Sequence, residues 1–179
     1  MKALKLLAVT AAISALAACS TVPSLSGKTG AASEPAVALP AGKAVVTTSE
    51  NVDVKVVAYI VRNDNGSERL DPITDKTSVK SGDVVEYHGL LTNTGTERVR
   101  NMTATLLLPS GATFTGQTDP ALGALASLDG KQFLRMPIRQ SVNGQAQNVP
   151  FDKYRALQWT VQEVGIGATA VVKYRATIR

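Results

Sequence analysis

From residue 52 onward the chain keeps returning to one pattern. Short runs of β-branched and alternating apolar residues are each stopped by Gly, Pro, Asn or Asp. Period-two alternation gives every strand one apolar face, so such a chain must stack sheets to hide those faces. In 84–93, Val85, Tyr87 and Leu91 share a face, with Glu86, His88 and Thr92 opposite. In 99–108, Met102, Ala104, Leu106 and Leu108 oppose Thr103 and Thr105. In 168–179, Val172, Tyr174, Ala176 and Ile178 oppose Lys173, Arg175, Thr177 and Arg179. Further strands are expected at 52–62, 67–70, 77–79, 131–139 and 157–163, and Phe114 heads a short one. Asn65-Gly66 marks a hairpin, Asn-Gly being the strongest kind of short hairpin signal. No long stretch here has helical period; only 120–127 has the composition for a helical turn. The expected fold is all-β: an antiparallel two-sheet sandwich of seven or more strands, with Trp159 as its core anchor.

The N-terminus has a different character. Lys2 and Lys5 precede an apolar run over 6–18 that only Thr10 and Ser14 interrupt. That is a secretory signal segment, too short to span a bilayer. It ends in Leu16-Ala17-Ala18-Cys19, and Cys19 is the only cysteine. This pattern resembles the lipobox of bacterial lipoproteins. The resemblance implies cleavage before Cys19, a diacylglycerol on its sulfur and, usually, acylation of the new amine. Each buried CH₂ of those chains would contribute about 0.8 kcal/mol to membrane anchoring. The plain alternative is a signal peptide cut near Ala18, leaving Cys19 as a thiol. Ser20 stands after the cysteine, where no Asp signals inner-membrane retention. By resemblance, the expected address is the outer membrane, with its periplasmic or outward side open.

Residues 19–50 are dominated by small residues, Pro and Gly, with too little apolar bulk to offset chain ordering. A flexible tether is expected, spanning on the order of 30 Å. The alternative is that Val45-Val46-Thr47-Thr48 adds an edge strand. The expected organisation is thus 1–18 signal peptide, 19–50 lipidated tether and 51–179 sandwich. The formal charge of +5 includes Lys2 and Lys5, so the processed chain carries +3. That mild balance and the exported address argue against nucleic acid. An acylated Cys19 leaves no thiol for a disulfide or a sulfur-ligated metal, and no cofactor is expected.

Two stretches carry a family resemblance. One runs Gly82-Asp83-Val84-Val85-Glu86-Tyr87, Leu91-Thr92-Asn93-Thr94-Gly95, Val99-Arg100-Asn101-Met102 and Leu108-Pro109-Ser110-Gly111-Ala112-Thr113-Phe114. The other runs Leu157-Gln158-Trp159-Thr160-Val161, Gly165-Ile166-Gly167-Ala168 and Lys173-Tyr174-Arg175-Ala176-Thr177-Ile178. Together they resemble the bacterial conserved-repeat, Ig-like family catalogued as domain of unknown function eleven, over most of 77–179. The resemblance implies an Ig-like sandwich used as a structural or adhesive unit of cell surfaces and envelopes. The chain departs from it in having one copy and a long segment at 117–154. The motif also makes physical sense alone. Gly82-Asp83 turns the chain into a strand, Asn93 and Gly95 suit a strand exit, and Pro109 with Gly111 stops the next strand.

The candidates for chemistry are sparse. His88 is the only histidine, set beside Glu86, with Ser81 or Thr92 as conceivable nucleophiles and nothing arranging a triad. The competing reading is a solvated strand histidine, and no enzymatic activity is expected. Asn63-Asp64-Asn65-Gly66-Ser67-Glu68 superficially resembles a calcium loop but lacks its first Asp and correctly spaced distal Glu. A hairpin turn is the expected reading. Gly165-Ile166-Gly167 precedes a strand rather than a helix, so it is no phosphate loop.

Two features point outward. Lys173, Arg175 and Arg179 share one face of the last strand, and Arg98 and Arg100 lie near the start of another. Were those strands neighbours, they would form a basic patch for an anionic glycan or an acidic protein; the competing reading is edge protection. The first long strand is apolar on both faces, with Val54, Val56, Ala58 and Ile60 against Val57, Tyr59 and Val61. The expected cover for its second face is the 117–154 segment, through Phe133, Met136, Ile138 and Phe151. The alternative is that this face meets a partner. The functional expectation is a lipid-anchored structural or docking module of the envelope, tethered to the membrane through Cys19 and contacting an envelope protein or surface assembly. A surface adhesin-like binding domain for glycan or lipopolysaccharide is the alternative, and a cell-wall hydrolase the remote one.

Overall fold

The structure, a computed structural model, describes residues 45–179. The expected signal segment, Cys19 and the tether up to residue 44 lie outside the described residues. The strands are β1 (Val45–Thr47), β2 (Val52–Asp64), β3 (Ser67–Pro72), β4 (Val84–Asn93), β5 (Val99–Leu107) and β6 (Ala112–Asp119). They continue with β7 (Leu125–Ser127), β8 (Leu134–Arg135), β9 (Arg139–Val142), β10 (Gln145–Asn148), β11 (Ala156–Val164) and β12 (Thr169–Ile178). A 3-10 turn covers Phe151–Lys153, and the described residues form no α-helix. One sheet has the order β1-β5-β11-β7-β8 and the other β3-β2-β4-β12-β6; β9 and β10 pair only with each other. Every pairing is antiparallel.

The alternation sets which faces meet. Val85, Tyr87 and Leu91 of β4 are fully buried, as are Met102, Ala104 and Leu106 of β5 and Val172, Tyr174 and Ala176 of β12. Trp159 of β11 is buried with them, and all belong to one core shared by both five-stranded sheets. Gly89 permits the close approach of the sheets. A Cβ there would stand 3.1 Å from both Cδ atoms of Leu106. Tyr174 stitches the same layer, its hydroxyl donating to the Leu107 carbonyl at 3.2 Å.

The β2–β3 hairpin closes at Asn65 (φ 52°) and Gly66 (φ 85°), the left-handed pair a type I′ turn requires. The same chemistry at Asn143 (φ 52°) and Gly144 (φ 79°) closes the β9–β10 hairpin, which the strand reading did not anticipate. Four other expectations need correction. Residues 77–79 form no strand, because Thr74 and Thr77 bond each other's backbone and hydroxyl groups and supply the partners a ladder would. Residues 120–127 hold β7 rather than a helical turn, since pairing with β11 buries Ala126 and Ser127. The run 131–139 breaks into β8 and the start of β9, in different sheets, around Pro137, which lacks a ladder donor. The first sheet begins at Val45, ahead of the boundary at 51: Val45–Thr47 pair with Leu106–Ala104, so the edge-strand alternative describes these residues.

The cover expected over β2 is also elsewhere. Ile138, Val149 and Tyr154 enter the shared core, and the Phe151 and Tyr154 rings pack on Phe114 of β6. Val57, Tyr59 and Val61 remain half-exposed on the outer face of the second sheet.

Candidate functional site

The outer face of β3-β2-β4-β12-β6 carries the densest polar constellation in the described residues. Cross-strand register builds it. Tyr59 of β2 stands opposite Glu86 of β4, and Glu86 opposite Arg175 of β12. One step along, Val57 opposes His88, His88 opposes Lys173, and Lys173 opposes Asp119 of β6. Directly opposed residues share a face, so two rows run side by side, the first across three strands and the second across four.

Arg175 is the hub. Its Nε donates to Glu86 Oε2 at 2.7 Å, and its two terminal nitrogens donate to Glu68 Oε1 and Oε2 at 3.0 and 2.8 Å. Glu68 sits at the start of β3 and reaches Arg175 past β2 and β4. Glu86 is buried, and its other oxygen lies 2.7 Å from His88 Nε2. Burial alone would raise the Glu86 carboxyl, but the hydrogen bonds from His88 and Arg175 outweigh it and hold the group below the usual carboxylate range. Glu68 is likewise lowered by its bonds to Arg175. The same pairings raise Arg175 further, so its charge is permanent. The Tyr59 ring leans on His88, with centroids 4.7 Å apart.

Beside this hub β6 swells. Tyr174 pairs with Thr118 but Ala176 with Phe114, so three residues of β6 oppose the single Arg175. Gly116 makes this possible: φ is 90°, and a Cβ there would stand 2.8 Å from the Phe151 ring. The Thr115 hydroxyl donates to the Arg175 carbonyl at 3.0 Å, repairing the interrupted ladder. The swelling leaves a shallow open depression of about 420 Å³, lined by Glu86, Gln117, Thr118, Asp119, Lys173, Tyr174 and Arg175. Lys173 bonds Asp119 across it at 2.9 Å.

The expected basic patch does not form. Arg98 and Arg100 belong to the other sheet, where both bond Glu163 of β11 at 3.1 and 3.3 Å. Arg175 and Lys173 are neutralised as described, and Arg179 donates to the Ala112 carbonyl at 3.3 Å. The alternation placed Lys173 and Arg175 on one outer face; strand order separated them from Arg98 and Arg100.

The motif residues build the fold. Gly82 (φ 89°) donates its backbone N–H to Ile178, and Asp83 accepts from Lys80 N–H and Arg62. Asn93 is buried, donates to the Glu97 and Val164 carbonyls and accepts from Gly95 N–H. The Pro109 and Gly111 carbonyls accept from Ala112 and Arg179. Trp159 donates to the Pro120 carbonyl, and Tyr87 stacks on Tyr174 at 4.8 Å. The loop over 63–68 is the β2–β3 turn, with Gly66 N–H bonded to Asn63 Oδ1 at 3.2 Å. Among the described residues no group of three or more His, Cys, Asp or Glu is placed to hold a metal ion. Also among them, no helix is long and apolar enough to cross a membrane.

Glu68, Asp119, Gln117 and Tyr59 belong to the site without having been singled out for it. Glu68 and Arg175 are 107 positions apart, and no local spacing signals their contact. No family model, curated protein or solved structure matches the chain.

Proposed function

We propose that this chain is a lipid-anchored, Ig-like module of the bacterial cell envelope that works by binding and not by catalysis. The lipobox resemblance at Leu16-Ala17-Ala18-Cys19 supports the anchor. The resemblance over 77–179, together with two antiparallel sheets around one core, supports the Ig-like assignment. The observation that carries the binding reading is the division of labour among the polar residues. The motif residues are spent inward on turns and cross-sheet bonds, while the Arg175 hub holds a fixed polar surface outward beside half-exposed Tyr59. His88 faces Glu86 and Tyr59 rather than a hydroxyl nucleophile, which suits a positioned surface group better than a general base. In this reading the lipid sets the location, and the outer face of the second sheet contacts a larger envelope or surface assembly.

The test is metabolic labelling with an alkyne-bearing fatty acid in a Gram-negative host, followed by membrane fractionation. The wild-type chain is expected to carry the label and sediment with outer membranes. Cys19→Ala is expected to lose both. An unlabelled wild-type chain released as a soluble protein would overturn the anchor.

A further inference from the structure

We propose that the outer face of the second sheet binds a neutral glycan chain, laid across β2, β4, β12 and β6; this rests on reading the chain as an envelope binding module. Four observations converge on that ligand class.

The first is the charge balance. Both cations at the depression already face carboxylates: Lys173 faces Asp119, and Arg175 faces Glu68 and Glu86. A polyanion would have to displace these partners, and a polycation would meet Arg175 and Lys173. Neither gains from a surface whose charges are mutually satisfied.

The second is the hydrogen-bonding capacity that the pairing leaves. An ammonium has three donors, and Lys173 directs one at Asp119. A guanidinium has five, and Arg175 directs Nε and one bond from each terminal nitrogen at its two carboxylates. A carboxylate accepts more than one bond per oxygen. Adjacent donor and acceptor, held in place by each other, match a vicinal diol: one hydroxyl accepts from Lys173 while its neighbour donates to Asp119. Gln117 adds an amide that both donates and accepts.

The third is the shape. The depression made by the β6 bulge is open at about 420 Å³. From Asp119 on β6 to Tyr59 on β2 the face crosses three strand spacings, about 14 Å. That is longer than one hexose, so the fit is to a chain of sugars. The fourth is Tyr59, whose half-exposed ring on His88 offers an apolar platform for the C–H face of a pyranose.

The test is saturation-transfer NMR on the acylated full chain in detergent micelles, with chitotetraose and maltotetraose as neutral probes and a heparin tetrasaccharide as the anionic one. At least one neutral probe is expected to show transfer. Asp119→Ala with Lys173→Ala is expected to weaken that binding tenfold or more, and so is Gln117→Trp, which fills the depression with both charges intact. Arg98→Ala with Arg100→Ala, in the opposite sheet, is expected to leave it unchanged. An unaltered thermal melt of each variant establishes that loss of binding is not loss of fold. Transfer to heparin alone, to no probe, or to a neutral probe insensitive to both site variants would overturn the glycan proposal. Fatty-acid labelling of Cys19 tests the envelope module separately, so the glycan proposal can fail while that reading stands. A protein captured through this same face would likewise replace the glycan without touching the anchor.

Discussion

Asn93 and Val164 are joined by a hydrogen bond that crosses the two sheets: the Asn93 side-chain amide donates to the Val164 carbonyl at 3.1 Å. Asn93 ends β4 and Val164 ends β11, so one amide fixes where two strands of different sheets finish. The same nitrogen donates to Glu97 at 2.7 Å, and the amide oxygen accepts from Gly95 N–H at 3.0 Å. Asn93→Ala would leave these backbone groups short of partners in a buried place. It is expected to cost about 2–4 kcal/mol by urea denaturation. A loss below about 0.5 kcal/mol, the scale of an ordinary surface change, would mean that the latch is dispensable.

The stacked tyrosines should respond in opposite ways. Tyr87 Oη is buried and meets no protein partner, whereas Tyr174 Oη donates to Leu107. Tyr87→Phe is expected to be neutral or stabilising by up to about 1 kcal/mol, because it removes a desolvated hydroxyl. Tyr174→Phe is expected to cost about 1 kcal/mol for its lost bond. Equal losses for both, read from denaturant midpoints, would contradict the assignment.

Those phenols also set the alkaline limit. Burial pushes Tyr87 up to about 12 and raises Tyr174 well above the ordinary value, with Tyr87 adding a smaller electrostatic contribution there. Groups raised in the folded state bind their protons more tightly there than in the unfolded chain. Their contribution is therefore full below pH 10 and is lost as pH rises through 10 towards 12 and beyond. Melting temperature should hold below this window and fall within it, less steeply in Tyr87→Phe.

The acid side rests on the hub carboxylates Glu86 and Glu68 and on Asp129, which the backbone N–H groups of Gln132 and Lys131 and the Ser127 hydroxyl hold at about 2. Glu86 and Glu68 are lowered in the folded state, so their contribution is present above the ordinary value of 4.5 and is lost as pH falls through their lower folded values. Arg175→Gln removes the hub and leaves buried Glu86 with His88 as its remaining partner. That substitution is expected to cost about 3 kcal/mol at neutral pH. It should also blunt or reverse the acid dependence, because burial would then press Glu86 upward. Acid dependence as steep as the parent's in the variant would exclude the hub as a contributor, leaving Asp129 as its source.

Gly116→Ala should be far worse than an ordinary surface change, since φ is 90° and the new methyl would strike Phe151 at 2.8 Å. A loss of about 2–3 kcal/mol is expected from denaturation. Stability within about 0.5 kcal/mol of the parent would show that the bulge relaxes freely.

What was legible in the sequence was local. Alternation placed Tyr87, Leu91, Met102, Trp159 and Tyr174 in the core, and Asn65-Gly66 marked its hairpin. Asn143-Gly144 carried the same signal and was available to the same argument. Short strands such as β7 and β8 were not legible, because they exist through pairing rather than through their own pattern. Strand neighbours were hidden too. Arg98 and Arg175 look like companions in composition, yet the first joins Glu163 in one sheet and the second Glu68 and Glu86 in the other. The outer-face site depends wholly on that long-range order. The expected cover over β2 failed for a related reason: the aromatic residues near 151 found a better place against Phe114.

The central claim, that the molecule works by binding through the outer face of its second sheet, is most directly tested by photocrosslinking in living cells. Benzoylphenylalanine is placed at Val57, on that face but outside the depression, or at Thr160, an exposed position of β11 in the other sheet. Covalent adducts are expected from Val57 and not from Thr160. Adducts from Thr160 alone, or none from Val57 in the intact envelope, would contradict the account.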